Sequence, residues 1–232
     1  MREEAAAKRR RLPPNQIGKH GQLQEWLDDW EELEPQHRHV SGLYGLWPGD
    51  EITPRGTPAE AAAASVTLDR RGTGGCGWSY GWKVGLRARL GEAEKAHEQV
   101  AHYLSDNVLT NLFSRCGRAL QVDGSFGTTA GIAEMLLQSH TDTLDVLPAL
   151  PAEWPNGRIT GLRARGGLTV DLTWANGRVK ELVLKPSRAG SVVVRGTPNG
   201  RVEPAAEAMS VGESGELRLD LRAGTAYRIV VP

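Results

Sequence analysis

Two carboxylates in this chain stand in surroundings that could set them to acid and base work. The first is Glu25, in the run Gly21-Gln22-Leu23-Gln24-Glu25-Trp26-Leu27-Asp28-Asp29-Trp30. A tryptophan packed against a carboxyl group strips water from it and favours the protonated form, which a general acid working near neutral pH needs. The same ten residues also suit a surface acid on a helix capped by Asp28 and Asp29, and both readings stay open. The second is Asp123, in Leu120-Gln121-Val122-Asp123-Gly124-Ser125-Phe126-Gly127. A buried helix is expected to follow from Thr128, and its N-terminus would hold the aspartate ionised, able to activate water. An ordinary turn or capping aspartate is the competing reading.

Between them lie two segments that resemble ligand loops. Pro35 to Gly49 contains His37 and His39 with an arginine between, then serine, tyrosine and tryptophan among glycines. Sugars suit such a loop, since hydroxyls need polar donors and acceptors while C–H faces stack on aromatic rings. A zinc site at His37 and His39 lacks a third ligand at motif spacing, and a structural loop with one hydrogen-bonded histidine explains the same residues. Arg71 to Ser79 reads Arg-Gly-Thr-Gly-Gly-Cys-Gly-Trp-Ser. Free N–H groups at a helix start can hold phosphate, but no Gly-Lys-Ser/Thr ending follows and no strand precedes. A P-loop and a dinucleotide fingerprint are therefore excluded, and a tight turn that brings a ligand close to the backbone fits better. Trp78 and Trp82, one helical turn apart, suit a core as well as a ligand wall.

The elements that must position these residues can be read from spacing. A short charged helix is expected from Glu3 to Arg11, stopped by Pro13 and Pro14. From Gly21 to about Gln138 the apolar spacing looks helical. Thr57 would cap a helix opened by Pro58 and running to Arg71, with Glu60 near its start and Arg70 and Arg71 at its end. Trp78–Leu90 and Glu92–Leu104, separated by Gly91, predict a helical hairpin. Past Leu147 the pattern changes to alternation: Leu168, Val170, Leu172 and Trp174, an Asn176-Gly177 turn, then Val179, Leu182 and Leu184 predict a β-hairpin. Short strands are expected at 191–195, 215–221 and 226–231. The chain thus divides into a helical unit over 1–146 and a β-rich unit over 147–232. Up to residue 150 there are 16 basic and 20 acidic side chains, and after it 12 and 8.

Composition limits the partners. With 232 residues, 28 basic and 28 acidic side chains and a formal charge of zero, the chain offers no electrostatic footprint for nucleic acid. No run of eighteen apolar residues supports a membrane span, and the charged Met1–Arg11 does not read as a secretion signal. The chain as given therefore reads as cytoplasmic, with secretion open should the native start lie upstream of Met1. The two cysteines, Cys76 and Cys116, fit free thiols or a single bridge.

Taken together, the strings GQLQEWLDDW, HRHVSGLYGLWPGDEITP, GTGGCGWSYGWK, QVDGSFGTTAGIAEMLLQSH and LPALPAEWPNGRITGLRARGG resemble the C-terminal part of glycoside hydrolase family 95, the α-L-fucosidases and α-L-galactosidases. The resemblance implies an α+β chain: part of an (α/α)6 toroid followed by a small antiparallel β-sandwich. It implies inverting hydrolysis of fucosylated glycans with no metal or organic cofactor. Glu25 would be the acid, and Asp123 would support the water-activating side chains, roughly 6.5 to 9.5 Å away as inversion requires. His39, His37, Trp26, Trp78 and Gln121 would line the sugar pocket. Gly42 stands where the family often has histidine, and Ser125 where it often has asparagine. A twelve-helix toroid is longer than this chain, so a truncated form is expected, or one closed by another chain. Half a toroid leaves apolar helix faces in water, at roughly 25 cal/mol for each Å². The alternative is a non-catalytic remnant that binds carbohydrate or a partner protein.

Overall fold

The computed structural model describes residues 1–206, 209–212 and 215–232. Five helices lie in the first part of the chain and two five-stranded sheets in the second, an α+β arrangement. The charged opening folds as α1 (Arg2–Arg9), which buries no residue and carries a Glu4–Lys8 ion pair of 2.8 Å across one turn.

The helical spacing read from Gly21 onward does not become a helix until Pro58. Residues 21–57 run irregularly, with one 3-10 turn at Ser41–Leu43. Their apolar side chains are plugs instead: Leu23, Val40, Leu43, Leu46 and Ile52 are buried against Ala61, Ala64 and Leu68 of α2 (Pro58–Arg71). Alanine methyls leave room for these inserted side chains, and the Leu23 N–H donates to Thr67 Oγ1 at 2.9 Å. Pro58 opens α2, and Gly72, at φ 66°, ends it. Thr57 precedes the helix, but its hydroxyl accepts from the Thr53 N–H (2.9 Å) and caps no helical N–H.

The expected hairpin forms from α3 (Gly77–Arg89) and α4 (Ala93–Asn107), turning at Gly91. Val84 and Ala88 of α3 pack on Ala96 and Val100 of α4. The last helix, α5 (Val122–Leu136), starts at Val122 rather than at Thr128, so Asp123 sits inside its first turn. Gly81 and Gly131 let α3 and α5 approach closely. A β-carbon at Gly81 would lie 2.7 Å from the Thr128 backbone nitrogen, and one at Gly131 2.6 Å from Val84 Cγ1. No other residue type admits that approach without displacing a neighbour.

Buried cations tie the loops to these helices. Lys83, fully buried on α3, donates to the carbonyls of Gly72 (2.8 Å) and Gly74 (2.6 Å). Burial, helped by nearby Arg87 and Arg71, pushes its amine down to about 8. Arg89 holds Glu134 of α5 at 2.6 Å and also donates to the carbonyls of Leu46 (3.3 Å) and Gly49 (2.9 Å) in the irregular segment.

The strands are β1 (Arg115–Cys116) and β2 (Ala119–Leu120), a small hairpin before α5, then β3 (Leu137–Gln138), β4 (Thr143–Val146), β5 (Gly157–Ala164), β6 (Leu168–Ala175), β7 (Arg178–Pro186), β8 (Gly190–Arg195), β9 (Arg201–Glu203), β10 (Met209–Val211), β11 (Leu217–Leu221) and β12 (Tyr227–Val230). One sheet runs β10-β11-β8-β4-β3 and the other β5-β6-β7-β12-β9. Their pairings are antiparallel except for β4 beside β8, which is parallel. Along β6, Leu168, Val170, Leu172 and Trp174 are buried and the residues between them are not. Asn176 and Gly177, both at positive φ, turn the chain so that Ala175 faces Arg178. Leu172, Leu182 and Ile229 from one sheet and Val194 and Leu219 from the other share a single buried cluster.

Candidate functional site

The segment that carries Glu25 is held from below by the C-terminal end of α2. Arg71, almost fully buried, reaches Glu25 Oε2 at 3.1 Å and Glu32 Oε1 at 3.2 Å, and donates to the carbonyl of Pro35 (3.2 Å). Arg70 adds two bonds to Glu32, at 2.9 and 3.1 Å. Upstream, Asp29 accepts from the Lys19 N–H (2.6 Å) and from the Gln22 side chain (3.1 Å), which closes the segment into a compact loop. The loop walls a hollow of about 550 Å³ lined by Glu25, Trp26, Trp30, His37 and Arg71 among others. Trp26 does not cover Glu25 as the sequence reading expects. Trp26 is 63% exposed and its ring stacks toward Trp30, while the guanidinium of Arg71 is the group that meets the carboxylate.

The histidine loop is stitched to α3. Ser79 Oγ donates to the Arg38 carbonyl at 2.7 Å. His37 and His39 stack at 4.8 Å, and His39 meets the Trp78 ring edge-on at 4.7 Å. Desolvation, followed by the charges of His37 and Arg38, lowers the His39 pKa, with Glu25 pulling weakly the other way. A neutral imidazole at physiological pH has one donor and one acceptor nitrogen, the pair that a sugar hydroxyl uses. The backbone N–H of Trp78 donates to Gln121 Oε1 at 3.2 Å. Gln121 immediately precedes α5, so one line of contacts runs from His39 through Trp78 to the start of the helix that bears Asp123.

Asp123 itself is exposed, and among the described residues no hydrogen bond or ion pair engages its carboxylate. Val122 and Phe126 beside it are open to solvent as well. Asp123 does not line the hollow around Glu25. The first turn of α5 still gives it the positive end of a helix. Cys76 and Cys116 form a disulfide, tying the loop before α3 to the hairpin before α5; of the two states open from sequence, the bridge is the one found. Gly42 lies against Glu25, where a β-carbon would stand 3.5 Å from Cγ. Ser125 is bonded to the Tyr103 hydroxyl at 3.1 Å.

The comparisons with known proteins decide the lineage. Residues 1–136 match the glycosyl hydrolase family 95 catalytic domain, and residues 138–229 match the family's C-terminal domain. The chain belongs to glycoside hydrolase family 95. It is 45% identical over 185 residues to alpha-L-fucosidase 2 of Arabidopsis thaliana, covering 75% of this chain and 22% of that protein. It is 34% identical over 181 residues to a probable alpha-fucosidase A of Aspergillus niger, covering 70% and 23%. Against a probable alpha-fucosidase A of Aspergillus oryzae it is 31% identical over 201 residues, covering 75% and 27%. The family 95 chain thus spans about a quarter of the length of these curated relatives.

Within this family 95 chain, the sequence reading missed Arg71, Lys83 and Trp30. Arg71 looked like a charge complementing a helix end, yet a basic residue followed directly by Gly-Thr-Gly-Gly is a helix terminus feeding a loop, and the acidic run 25–34 is the obvious counter-charge. Lys83 sits among Trp82, Val84 and Leu86, and a lysine on an apolar helix face must find oxygen partners inside. The glycines at 77, 81 and 85, four apart, signal a helix that another backbone approaches closely. Trp30 was in plain view but was read only as part of a string.

Proposed function

We propose that this family 95 member is an inverting α-L-fucosidase-like hydrolase acting on terminal fucosyl or galactosyl linkages of a glycan, in which Glu25 protonates the leaving oxygen and Asp123 supports the activation of water. What carries this reading is the contact line His39–Trp78–Gln121, which joins loops about eighty residues apart around side chains suited to sugar hydroxyls. Supporting it further, Glu25 and His37 border one hollow of monosaccharide-to-disaccharide size. The helical unit is taken as part of an (α/α)6 toroid and the two sheets, with their common core, as a β-sandwich. No metal or organic cofactor enters the reaction.

The exposed apolar residues around Asp123, Leu120, Val122 and Phe126, favour a site completed by further polypeptide, from the same protein or from another chain. The substrate would then be bound between that wall and the His39–Trp78 side. The test is incubation with an aryl α-L-fucoside. Turnover is expected to fall by about two orders of magnitude or more in Glu25→Gln, with the melting curve unchanged. Turnover indifferent to that substitution would reject Glu25 as the acid. A second reading, a carbohydrate-binding protein without catalysis, is favoured by the open setting of Asp123; it predicts saturable sugar binding with no hydrolysis.

A further inference from the structure

Trp30 has no part in the mechanism above, yet it is 66% exposed and its indole lies beside that of Trp26, centroids 6.5 Å apart and planes inclined by 27°. Two large apolar rings open to water on a loop are costly unless something covers them. Both rings line the hollow that Glu25 borders, so whatever covers them is contiguous with that carboxylate. The polar groups of the same hollow narrow the choice. Glu25 and Glu32 are neutralised by Arg71 and Arg70, and Asp29 is saturated by Gln22 and the Lys19 N–H. Asp28, set between the two tryptophans in sequence, has no side-chain partner among the described residues. Indole faces beside an unspent acceptor select a ligand that is apolar on its faces and rich in hydroxyl donors at its edge, as a pyranose is. An acid-rich lining rejects sulfated or carboxylated glycans.

We infer that Trp26 and Trp30 form a platform for the sugar on the leaving-group side of the bond that Glu25 attends, and that the ligand taken there is a neutral oligosaccharide whose edge hydroxyls donate to Asp28. This assignment rests on the hydrolase reading of Glu25 for its orientation, and on the rings alone for its existence.

Calorimetric titration of the full chain with lactose, cellotetraose and chitotetraose, none of which carries fucose, tests the platform without turnover. At least one is expected to bind saturably. Trp30→Ala should weaken that binding by about ten-fold and Trp30→Phe should restore most of it, since a ring face is what the sugar uses. Because Trp30 is exposed, both variants should melt as the parent does. Binding by none of the three sugars, or binding that Trp30→Ala leaves unchanged, overturns the platform. So does saturable binding of an octa-arginine peptide in the absence of sugar binding, which would assign the hollow to a cationic partner. Hydrolysis of an aryl α-L-fucoside without binding of any of these sugars removes the platform alone. Trp30-dependent binding without hydrolysis keeps the platform and removes the hydrolase reading.

Discussion

The helical and β-rich parts of the molecule solve the same problem by different means. In the β part, alternate residues of long strands enter one apolar cluster, and the polar residues between them face outward. In the helical part, buried cations join the apolar plugs: Arg71, Lys83, Arg87 and Arg89 are nearly fully enclosed and bind loop carbonyls and carboxylates. A sheet needs volume, whereas a wall of loops around a ligand needs rigid points of attachment, and guanidinium forks supply several such points from one side chain. The region whose loops are to be held still is the one that buries cations.

That contrast can be broken by substitution. Arg89→Met leaves Glu134 and the carbonyls of Leu46 and Gly49 without their partner, and a loss of about 4 kcal/mol in unfolding free energy is expected. If denaturant unfolding shows a change below about 1 kcal/mol, the loops are held by their apolar plugs and the contrast is wrong. Leu182→Ala, at a fully buried position shared by both sheets, should cost about 3 kcal/mol through the cavity it leaves. Its thermal midpoint should fall while the near-ultraviolet signal of Trp78 and Trp82 changes little before unfolding.

A third probe lies at the seam. His140 is buried, and desolvation followed by the charge of Arg89 lowers its pKa to about 4; Glu134 and Asp145 oppose the shift, and Arg165 reinforces it. The unfolded chain binds a proton there near 6.5 and the folded chain only near 4, so stability should rise with pH across that window and be lost as pH falls through it. The contribution is about 3 kcal/mol, and His140→Gln should flatten that part of the stability profile. A parent profile that is already flat between pH 4 and 6.5 would show that the imidazole is hydrated. The smallest effect is expected at Gly177→Ala, where φ of 71° opposes a side chain but nothing crowds it; about 1 kcal/mol is expected from chemical denaturation.

How much could be read from the residues alone follows the same division. The strands β6 and β7 and their turn were legible because alternation and Asn-Gly are local signals. Helices α2, α3 and α4 were legible through Pro58, the Arg70-Arg71 end and Gly91, which punctuate regardless of tertiary context. The irregular stretch from Gly21 to Thr57 was not, because Leu23, Val40 and Leu46 are apolar for the sake of α2 rather than of any helix of their own. β5 was missed because its inner face is only partly buried and a register shift between Ile159 and Leu162 interrupts its period. At the site, the family strings pointed to Glu25, His39, Trp78, Gln121 and Asp123, but the side chains that hold them in place carry long-range information. Arg71 meets Glu25 across 46 positions, and no window of sequence contains both.

The bridge between Cys76 and Cys116 encloses the α3–α4 hairpin in a covalent ring with forty positions between its ends. Removing that freedom from the unfolded chain is worth about 4 kcal/mol in a chain-entropy account. The strap at the base of the two helices keeps the backbone N–H of Trp78 and the side-chain amide of Gln121 within reach of each other. In a reducing medium that opens the strap, the short hairpin before α5 loses its covalent tie to the start of α3, and that junction is expected to loosen before the sheets do.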